Sequence, residues 1–192
     1  AEATRLFEAV TPAGEPDAGF GLYVHWPFCA AKCPYCDFNS HVTDRVDHGR
    51  WAAALCAEVE RAAAQTPDRL LTSIFFGGGT PSMMAPETVA RVIDAACRGW
   101  RVANDLEITL EANPTSSDAE RFEGFAKAGV TRLSLGVQAL NDEDLRRLGR
   151  QHSAEEALAA VARARAQFDR VSFDLICARQ HQTREAWQSE LM

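Results

Sequence analysis

The chain has 192 residues, of which 46% are hydrophobic, and its formal net charge is −7. That length and apolar content are sufficient for one domain with a hydrophobic core. The acidic balance, without any Lys- or Arg-rich run, argues against nucleic-acid binding, and no apolar stretch reaches the ~20 residues of a membrane-spanning helix. The sequence therefore predicts a globular domain with no nucleic-acid partner and no membrane span.

The two ends of the chain and its six cysteines predict whether it is a fragment and in which compartment it is located. The chain starts at Ala1 and stops at Met192, inside a predicted helix that begins near Thr183, so we expect a C-terminally truncated fragment. The first twenty residues lack a secretory signal pattern. Three of the six cysteines are crowded in one loop, and Cys56 and Cys97 lie on helical patterns. This usage predicts a reducing, cytoplasmic location rather than a disulfide framework.

Along the chain, a loose lead-in at residues 1–20 precedes a core domain at 21–192 built from about five strand–helix units. Strands are predicted at 21–26, 73–76, 106–110, 133–137 and 171–176. Capping boxes at Ser117 and Ser153 and a proline at position 86 mark helix starts, and Gly129 and Gly149 mark helix ends. The alternation predicts an α/β fold with a parallel sheet and outer helices, either an open barrel or a doubly wound sheet.

Cys29, Cys33 and Cys36 follow the first predicted strand with the spacing C-x3-C-x2-C. Three thiolates can hold three irons of a cubane iron–sulfur cluster and leave the fourth iron open to another ligand. Two alternatives remain at this point. The loop could hold zinc with His25 or His41 as the fourth ligand, or it could contain thiols that bind no metal.

Polar residues fall at the carboxyl ends of the other strands, where barrels of this kind bind ligands. The second strand runs into a Gly-Gly-Gly-Thr-Pro segment that lacks the Gly-Lys-Ser/Thr of a phosphate-binding loop. The candidate residues at these strand ends and after the following helix are Gly78, Gly79, Thr80, Glu111, Gln138, Arg150 and Asp174. Taken singly, the glycines also suit a tight turn, and each side chain also suits a structural or solvated position.

The block Tyr23-Val24-His25-Trp26-Pro27-Phe28-Cys29, followed by Cys33-Pro34-Tyr35-Cys36, resembles the radical S-adenosylmethionine (SAM) superfamily. Within it, the chain is similar to the family of anaerobic coproporphyrinogen III oxidase and the heme chaperone HemW. The resemblance implies the N-terminal half of a partial (β/α)6 barrel. It also implies a [4Fe–4S] cluster on Cys29, Cys33 and Cys36 whose open iron is chelated by SAM.

The same resemblance implies where SAM would bind and what would happen to it. The glycine segment would hold the amino group of its methionyl part. The implied SAM contacts are Tyr23, Tyr35, Gly78, Gly79, Thr80, Glu111, Gln138, Arg150 and Asp174. An external reductant would supply an electron to the cluster, and SAM would be cleaved to methionine and a 5′-deoxyadenosyl radical. No residue is assigned a catalytic role.

Phe38 separates the two branches of this family. The oxidase branch carries a further cysteine at that position, whereas Asp37-Phe38-Asn39-Ser40 resembles the chaperone branch. We therefore expect a protein that binds heme as cargo, with the help of the missing C-terminal half, and passes it to an acceptor protein. The alternatives are oxidative decarboxylation of coproporphyrinogen III and a zinc-stabilised module without redox chemistry.

The loop after the last strand departs from the family pattern. Members of the chaperone branch read Tyr-Ala-x-Pro-Gly-Gln-Thr where this chain reads Cys177-Ala178-Arg179-Gln180-His181-Gln182-Thr183. The difference could be drift. A second interpretation makes His181 or Cys177 a ligand of heme iron, since both residue types serve in that role.

Overall fold

The computed structural model describes residues 19–43 and 45–192. The predicted lead-in at 1–20 therefore lies almost entirely outside the described residues. Among these, five strands form one parallel sheet in the order β1-β4-β5-β6-β7. Its strands are β1 Phe20–Trp26, β4 Leu70–Gly78, β5 Arg101–Ala112, β6 Arg132–Gln138 and β7 Arg170–Leu175. The predicted α/β class and parallel sheet are confirmed.

Helices connect these strands, and a small second sheet flanks the cysteine loop. The helices are α1 His48–Gln65, α2 Pro86–Gly99, α3 Ser116–Ala119, α4 Phe122–Lys127, α5 Asp142–Arg147, α6 Ala154–Gln167 and α7 Arg184–Leu191, with a 3-10 turn at Pro81–Met83. The second sheet pairs β2 Phe28–Cys29 with β3 His41–Val42 in parallel. Within the described residues no helix is long and apolar enough to cross a membrane.

The helix ends show which local signals the chain uses. Ser153 and Glu156 form the predicted capping box at the start of α6. The box predicted at Ser117 is wrong, because α3 already begins at Ser116. Thr115 takes the capping role there, since its hydroxyl accepts a hydrogen bond from the backbone N–H of Asp118 at 3.2 Å. The nearer Thr-x-x-Asp pair thus satisfies the first-turn amide.

The sheet buries one face against the helices. Along β6, Leu133, Leu135 and Val137 are buried, whereas the residues between them are only partly buried. Phe122 and Phe125 of α4 lie in the same core. Because successive strand residues point to opposite faces, the alternating positions Gly136 and Gln138 lie on the other face of the sheet. All five parallel strands end at one edge, which is where the polar residues collect.

Candidate functional site

The cysteine loop is anchored at both of its ends by backbone hydrogen bonds. The N–H of His41 donates to the carbonyl of Pro27 at 2.7 Å, and that of Thr43 donates to Cys29 at 3.2 Å. Inside the loop, the N–H of Cys36 donates to the carbonyl of Cys33 at 3.1 Å and closes a turn. Cys29 is buried, Cys33 and Cys36 are partly buried, and all three are free thiols. The loop therefore holds three thiols in one short segment beside the sheet edge.

The zinc and cluster alternatives make different demands on where the three thiols lie. Within the described residues, no three His, Cys, Asp or Glu side chains are placed so that they could hold one metal ion. A tetrahedral zinc site requires such convergence, because its thiolates all lie ~2.3 Å from the same ion. A cubane cluster does not, since each thiolate binds a different iron. The two alternatives thus require different placements of the thiols, and analysis of the bound metal decides between them.

The glycine segment after β4 packs tightly against β1 and Cys29. Gly79 donates its N–H to the carbonyl of Trp26 at 2.6 Å. A Cβ at Gly79 would lie 3.0 Å from Cys29 Sγ and 2.6 Å from the carbonyl oxygen of Phe28. Gly78 has φ +110°, and a Cβ there would lie 2.6 Å from the His25 ring. The glycines are thus needed for a close approach of two backbones, and this approach brings Thr80 to the cysteine loop.

Thr80 and Arg150 each direct a donor at one of the thiols. The buried Thr80 hydroxyl donates to Cys29 Sγ at 3.5 Å. Arg150 Nη1 reaches Cys33 Sγ at 3.6 Å and the Tyr35 hydroxyl at 3.4 Å. Arg150 Nη2 donates to the carbonyl of Gly136 at 2.8 Å. Partial burial raises the pKa of the Tyr35 phenol, and the Arg150 charge opposes that rise. Arg150 therefore joins the cysteine loop to the end of β6.

Three acidic or phenolic groups gather on the other side of the glycine segment. Burial raises the pKa of the Glu111 carboxyl above its ordinary value, the Asp174 charge raises it further, and a hydrogen bond from the Gly78 backbone opposes the rise. Burial and the Glu111 charge likewise raise the pKa of the Tyr23 phenol. The Tyr23 hydroxyl lies 3.3 Å from His25 Nδ1. His25 Nε2 lies 2.9 Å from the carbonyl of Asn39, so Nε2 carries the proton and Nδ1 accepts from Tyr23.

Gln138 ends β6 with a left-handed backbone, φ 73°. Its carbonyl accepts from the Ile176 N–H at 2.9 Å and from Arg179 Nη1 at 3.3 Å. Its Nε2 lies beside Gly136, where a Cβ would be 2.9 Å from Gln138 Nε2 and 3.5 Å from Arg150 Nη2. The amide of Gln138 and the guanidinium of Arg150 therefore meet above Gly136.

The structure thus sorts the residues predicted from sequence into two neighbouring groups. One contains Cys29, Cys33, Cys36, Tyr35, Gly79, Thr80 and Arg150, with Gln138 beside Arg150. The other contains Tyr23, Gly78, Glu111 and Asp174. Sequence reasoning missed Asn113 and Arg179, and it considered His25 only as a zinc ligand; all three make contacts within or next to these groups. Asn113 lies two residues after Glu111 at the end of the same strand, so the signal that indicated Glu111 could also have indicated Asn113.

Several groups at this site are unsatisfied by the protein itself. Arg150 Nε is buried without a hydrogen-bond partner among the described residues. In the same part of the chain, neither Glu111 nor Asp174 forms a salt bridge. A guanidinium donor without a partner suits a carboxylate, and two carboxylates without a cationic partner suit an ammonium or hydroxyl group. The donor set therefore fits three cluster thiolates together with a ligand that carries both an amino and a carboxylate group.

Comparison with known proteins gives an independent result. The family model of the radical SAM superfamily matches residues 23–189. The mitochondrial radical S-adenosyl methionine domain-containing protein 1 of Mus musculus is 44% identical over 171 residues, which are 88% of this chain and 39% of that protein. The heme chaperone HemW of Haemophilus influenzae is 44% identical over 147 residues, which are 73% of this chain and 38% of that protein.

A solved structure agrees with these sequence matches. Coproporphyrinogen III oxidase, HemN, from Escherichia coli, described as a radical SAM enzyme, superposes with a TM-score of 0.79 and 29% identity. The match covers 90% of this chain and 40% of that chain. The chain thus spans about two fifths of the length of the relatives it matches.

Proposed function

This chain belongs to the radical SAM superfamily, and we propose that it is the cluster- and SAM-binding part of a heme chaperone. Superfamily membership implies a [4Fe–4S] cluster and SAM. The observation that carries the proposal is the set of three free thiols in one loop, with donors from Thr80 and Arg150 on two of them. When bound, the cluster and SAM would supply the electron transfer and the radical chemistry.

The residues of this chain would bind and orient those groups. Cys29, Cys33 and Cys36 would each provide one thiolate. The carboxylates of Glu111 and Asp174, which form no salt bridge within the described residues, would accept hydrogen bonds from amino or ribose hydroxyl groups. Tyr23 would be held beside them by His25. The guanidinium of Arg150, whose Nε lacks a partner, would face the carboxylate end of the ligand. The tight packing of the glycine segment against β1 would exclude water from the buried sulfur of Cys29.

Phe38 supports the chaperone over the oxidase. Its side chain is exposed in the cysteine loop, and its carbonyl accepts from Lys32 Nζ at 3.2 Å. A phenyl ring at this position cannot provide the acid–base or redox chemistry of a thiol. The HemW of H. influenzae is 44% identical to this chain, whereas the superposed HemN structure is 29% identical. The structural similarity to HemN keeps the oxidase as the second candidate function.

The cluster assignment is tested in the full-length gene product, reconstituted with iron and sulfide without oxygen. We expect one [4Fe–4S] cluster, lost in Cys29→Ser, Cys33→Ser and Cys36→Ser but kept in Cys97→Ser, whose thiol is exposed on α2. Added SAM should change the electron paramagnetic resonance (EPR) spectrum of the reduced cluster. Stoichiometric zinc in a folded, iron-free sample purified without oxygen would favour the zinc module. An unchanged spectrum with SAM would refute the SAM site.

Activity separates the chaperone from the oxidase. Under reducing, anaerobic conditions with SAM, we expect no conversion of coproporphyrinogen III to protoporphyrinogen IX. Introducing the missing thiol with Phe38→Cys tests whether that single position accounts for the lack of conversion. Product formation by the unaltered protein would assign it to the oxidase branch.

The heme site is proposed to depend on the part of the relatives that this chain does not match. Hemin titrated into the 192-residue chain should therefore bind weakly. Tight one-to-one binding that is lost in His181→Ala or Cys177→Ala would place the heme site in the altered loop instead. The acceptor protein, the reductant and the cytoplasmic location stay predictions, and the M. musculus relative is named as mitochondrial.

A further inference from the structure

Asn113, the residue that follows β5, contacts both of the side chains that donate to the cysteine thiols. Its Oδ1 accepts a hydrogen bond from Arg150 Nη2 at 2.6 Å. Its Nδ2 donates to Thr80 Oγ1 at 3.4 Å. Thr80 in turn donates to Cys29 Sγ, and Arg150 to Cys33 Sγ. One amide therefore connects two of the three thiols of the loop.

The chemistry of the partners fixes the direction of each bond. A guanidinium has no acceptor, so the oxygen of the Asn113 amide must face Arg150. The amide nitrogen then faces Thr80, and the Thr80 oxygen must accept from it. The single hydroxyl proton of Thr80 is thereby left for Cys29 Sγ, 3.5 Å away. An asparagine meets these requirements, whereas an aspartate would draw the Thr80 proton to itself and a leucine would bind neither partner.

We propose that Asn113 is a positioning residue that holds the Thr80 hydroxyl on Cys29 and the Arg150 guanidinium on Cys33. This inference rests on the proposed function, in which both sulfurs ligate a cluster. Hydrogen bonds to cluster sulfurs withdraw negative charge and favour the reduced state, which raises the reduction potential. Asn113 thus sets the potential of the cluster through two intermediaries, without itself contacting sulfur.

The test is the midpoint potential of the cluster, followed by EPR in an anaerobic redox titration of the reconstituted full-length gene product. Asn113→Ala should keep its iron and sulfide content, because all three thiols remain, and its midpoint should shift to a more negative value. Thr80→Val, which removes one hydroxyl donor, should shift the midpoint in the same direction. Asn104→Ala, at an exposed position on β5, is the matched control and should leave the midpoint unchanged.

The double variant distinguishes a relay from two independent effects. If Asn113 acts through Thr80, adding Thr80→Val to Asn113→Ala should shift the midpoint less than Thr80→Val does alone. Additive shifts, or a wild-type midpoint in fully loaded Asn113→Ala, would overturn the inference and leave the proposed function standing. Should Asn113→Ala fail to load, an unchanged midpoint in Thr80→Val would overturn it equally. A wild-type protein that assembles no cluster would overturn both proposals.

Discussion

Glu111 is an acidic residue kept partly buried beside a second carboxylate. Burial and the Asp174 charge raise the pKa of its carboxyl above the ordinary value of 4.5. A raised pKa means that Glu111 favours the folded state below pH 4.5, and that this contribution is lost as pH rises through the folded-state pKa. At neutral pH the ionised side chain therefore costs stability, which is common where a residue is kept for binding.

Glu111→Gln should raise the melting temperature of the ligand-free protein at pH 7, because a neutral amide replaces the ionised carboxylate. It should also flatten the loss of stability on raising pH through the acidic range. The same variant should bind SAM about ten- to a hundredfold more weakly, the effect of losing one charged hydrogen bond worth about 1.5–3 kcal/mol. Glu60→Gln, at an exposed position on α1, is the control. Equal melting temperatures for both variants would contradict the electrostatic argument.

His152 should make the stability of the folded state depend on pH in the opposite direction. It is a buried residue whose Nε2 lies 3.1 Å from the carbonyl of Val137. Burial lowers its pKa below the ordinary value of 6.5, and the Arg150 charge lowers it further. A depressed pKa stabilises the folded state above pH 6.5, and this stability is lost as pH falls through the folded-state pKa.

We therefore expect the free energy of unfolding to fall between pH 7 and pH 5, as the buried imidazole must take up a proton. His152→Gln should reduce this fall, since its amide can still donate to Val137 but does not titrate. His41→Gln, exposed on β3, serves as the control and should keep the wild-type dependence. Urea unfolding across this pH range measures the effect. An unchanged slope in His152→Gln would show that other groups cause the loss.

At the scale of elements, the altered loop before α7 is organised around Arg179. Its buried guanidinium forms ion pairs with Asp144 and Glu190, and it donates to the carbonyl of Ile176 at 2.7 Å. Glu190 also accepts from the N–H of Leu140 at 2.7 Å. Helix α7 has no fully buried residue of its own. The docking of α7 against the end of β6 therefore depends largely on this ionic cluster.

Removing one partner of a buried ion pair leaves the other charge uncompensated, which costs about 3–5 kcal/mol. Arg179→Ala should destabilise the protein by an amount in that range and speed hydrogen exchange in α7 before the rest of the fold. Arg98→Ala breaks an exposed pair with Asp94 on α2 and should cost at most about 1 kcal/mol. Hydrogen exchange followed by mass spectrometry distinguishes the two. Unchanged protection of α7 in Arg179→Ala would mean that other contacts hold the helix.

The same loop shows why sequence reasoning reached only part of this structure. The sequence shows that Gln180-His181 departs from the family pattern, but not that the neighbouring Arg179 pairs with Asp144, 35 positions away. His181 adopts a left-handed φ of 63° at the position where the resembled family pattern has a glycine, the residue that favours this conformation. Asn113 reaches Thr80 and Arg150 across 33 and 37 positions. Contacts between distant segments leave no local pattern to read.

The sequence predicts the elements themselves better, because each sheet strand contains apolar residues either in a run or in alternation. The largest boundary error is in β5, predicted from residue 106 but beginning at Arg101. Residues 101–105 are mostly exposed and polar, and they join the strand because Arg101 and Val102 pair with Leu70 and Leu71 of β4. The two-residue strands β2 and β3 are too short to show any periodicity. In both cases, hydrogen bonding to a neighbouring strand rather than the local sequence pattern determines which residues form the strand.

At the scale of the whole molecule, the sheet presents β7 as an edge strand within the described residues. Phe173 on this strand is 50% exposed, and Val171 lines an adjacent surface groove with Val161 and Phe168. An edge strand offers unpaired backbone groups, and exposed apolar side chains beside it favour pairing with another chain. The 192-residue chain should therefore associate with itself through β7.

Sedimentation velocity of the 192-residue chain should show association that increases with protein concentration. Phe173→Lys should shift it towards monomer, because a charge on an edge strand opposes pairing with a second copy. Leu158→Lys is a matched control, since Leu158 is 59% exposed but lies on α6 rather than on the sheet edge. If both variants reduce association equally, general surface hydrophobicity is the cause. A wild-type chain that stays monomeric at high concentration would show that β7 is protected without any further strand.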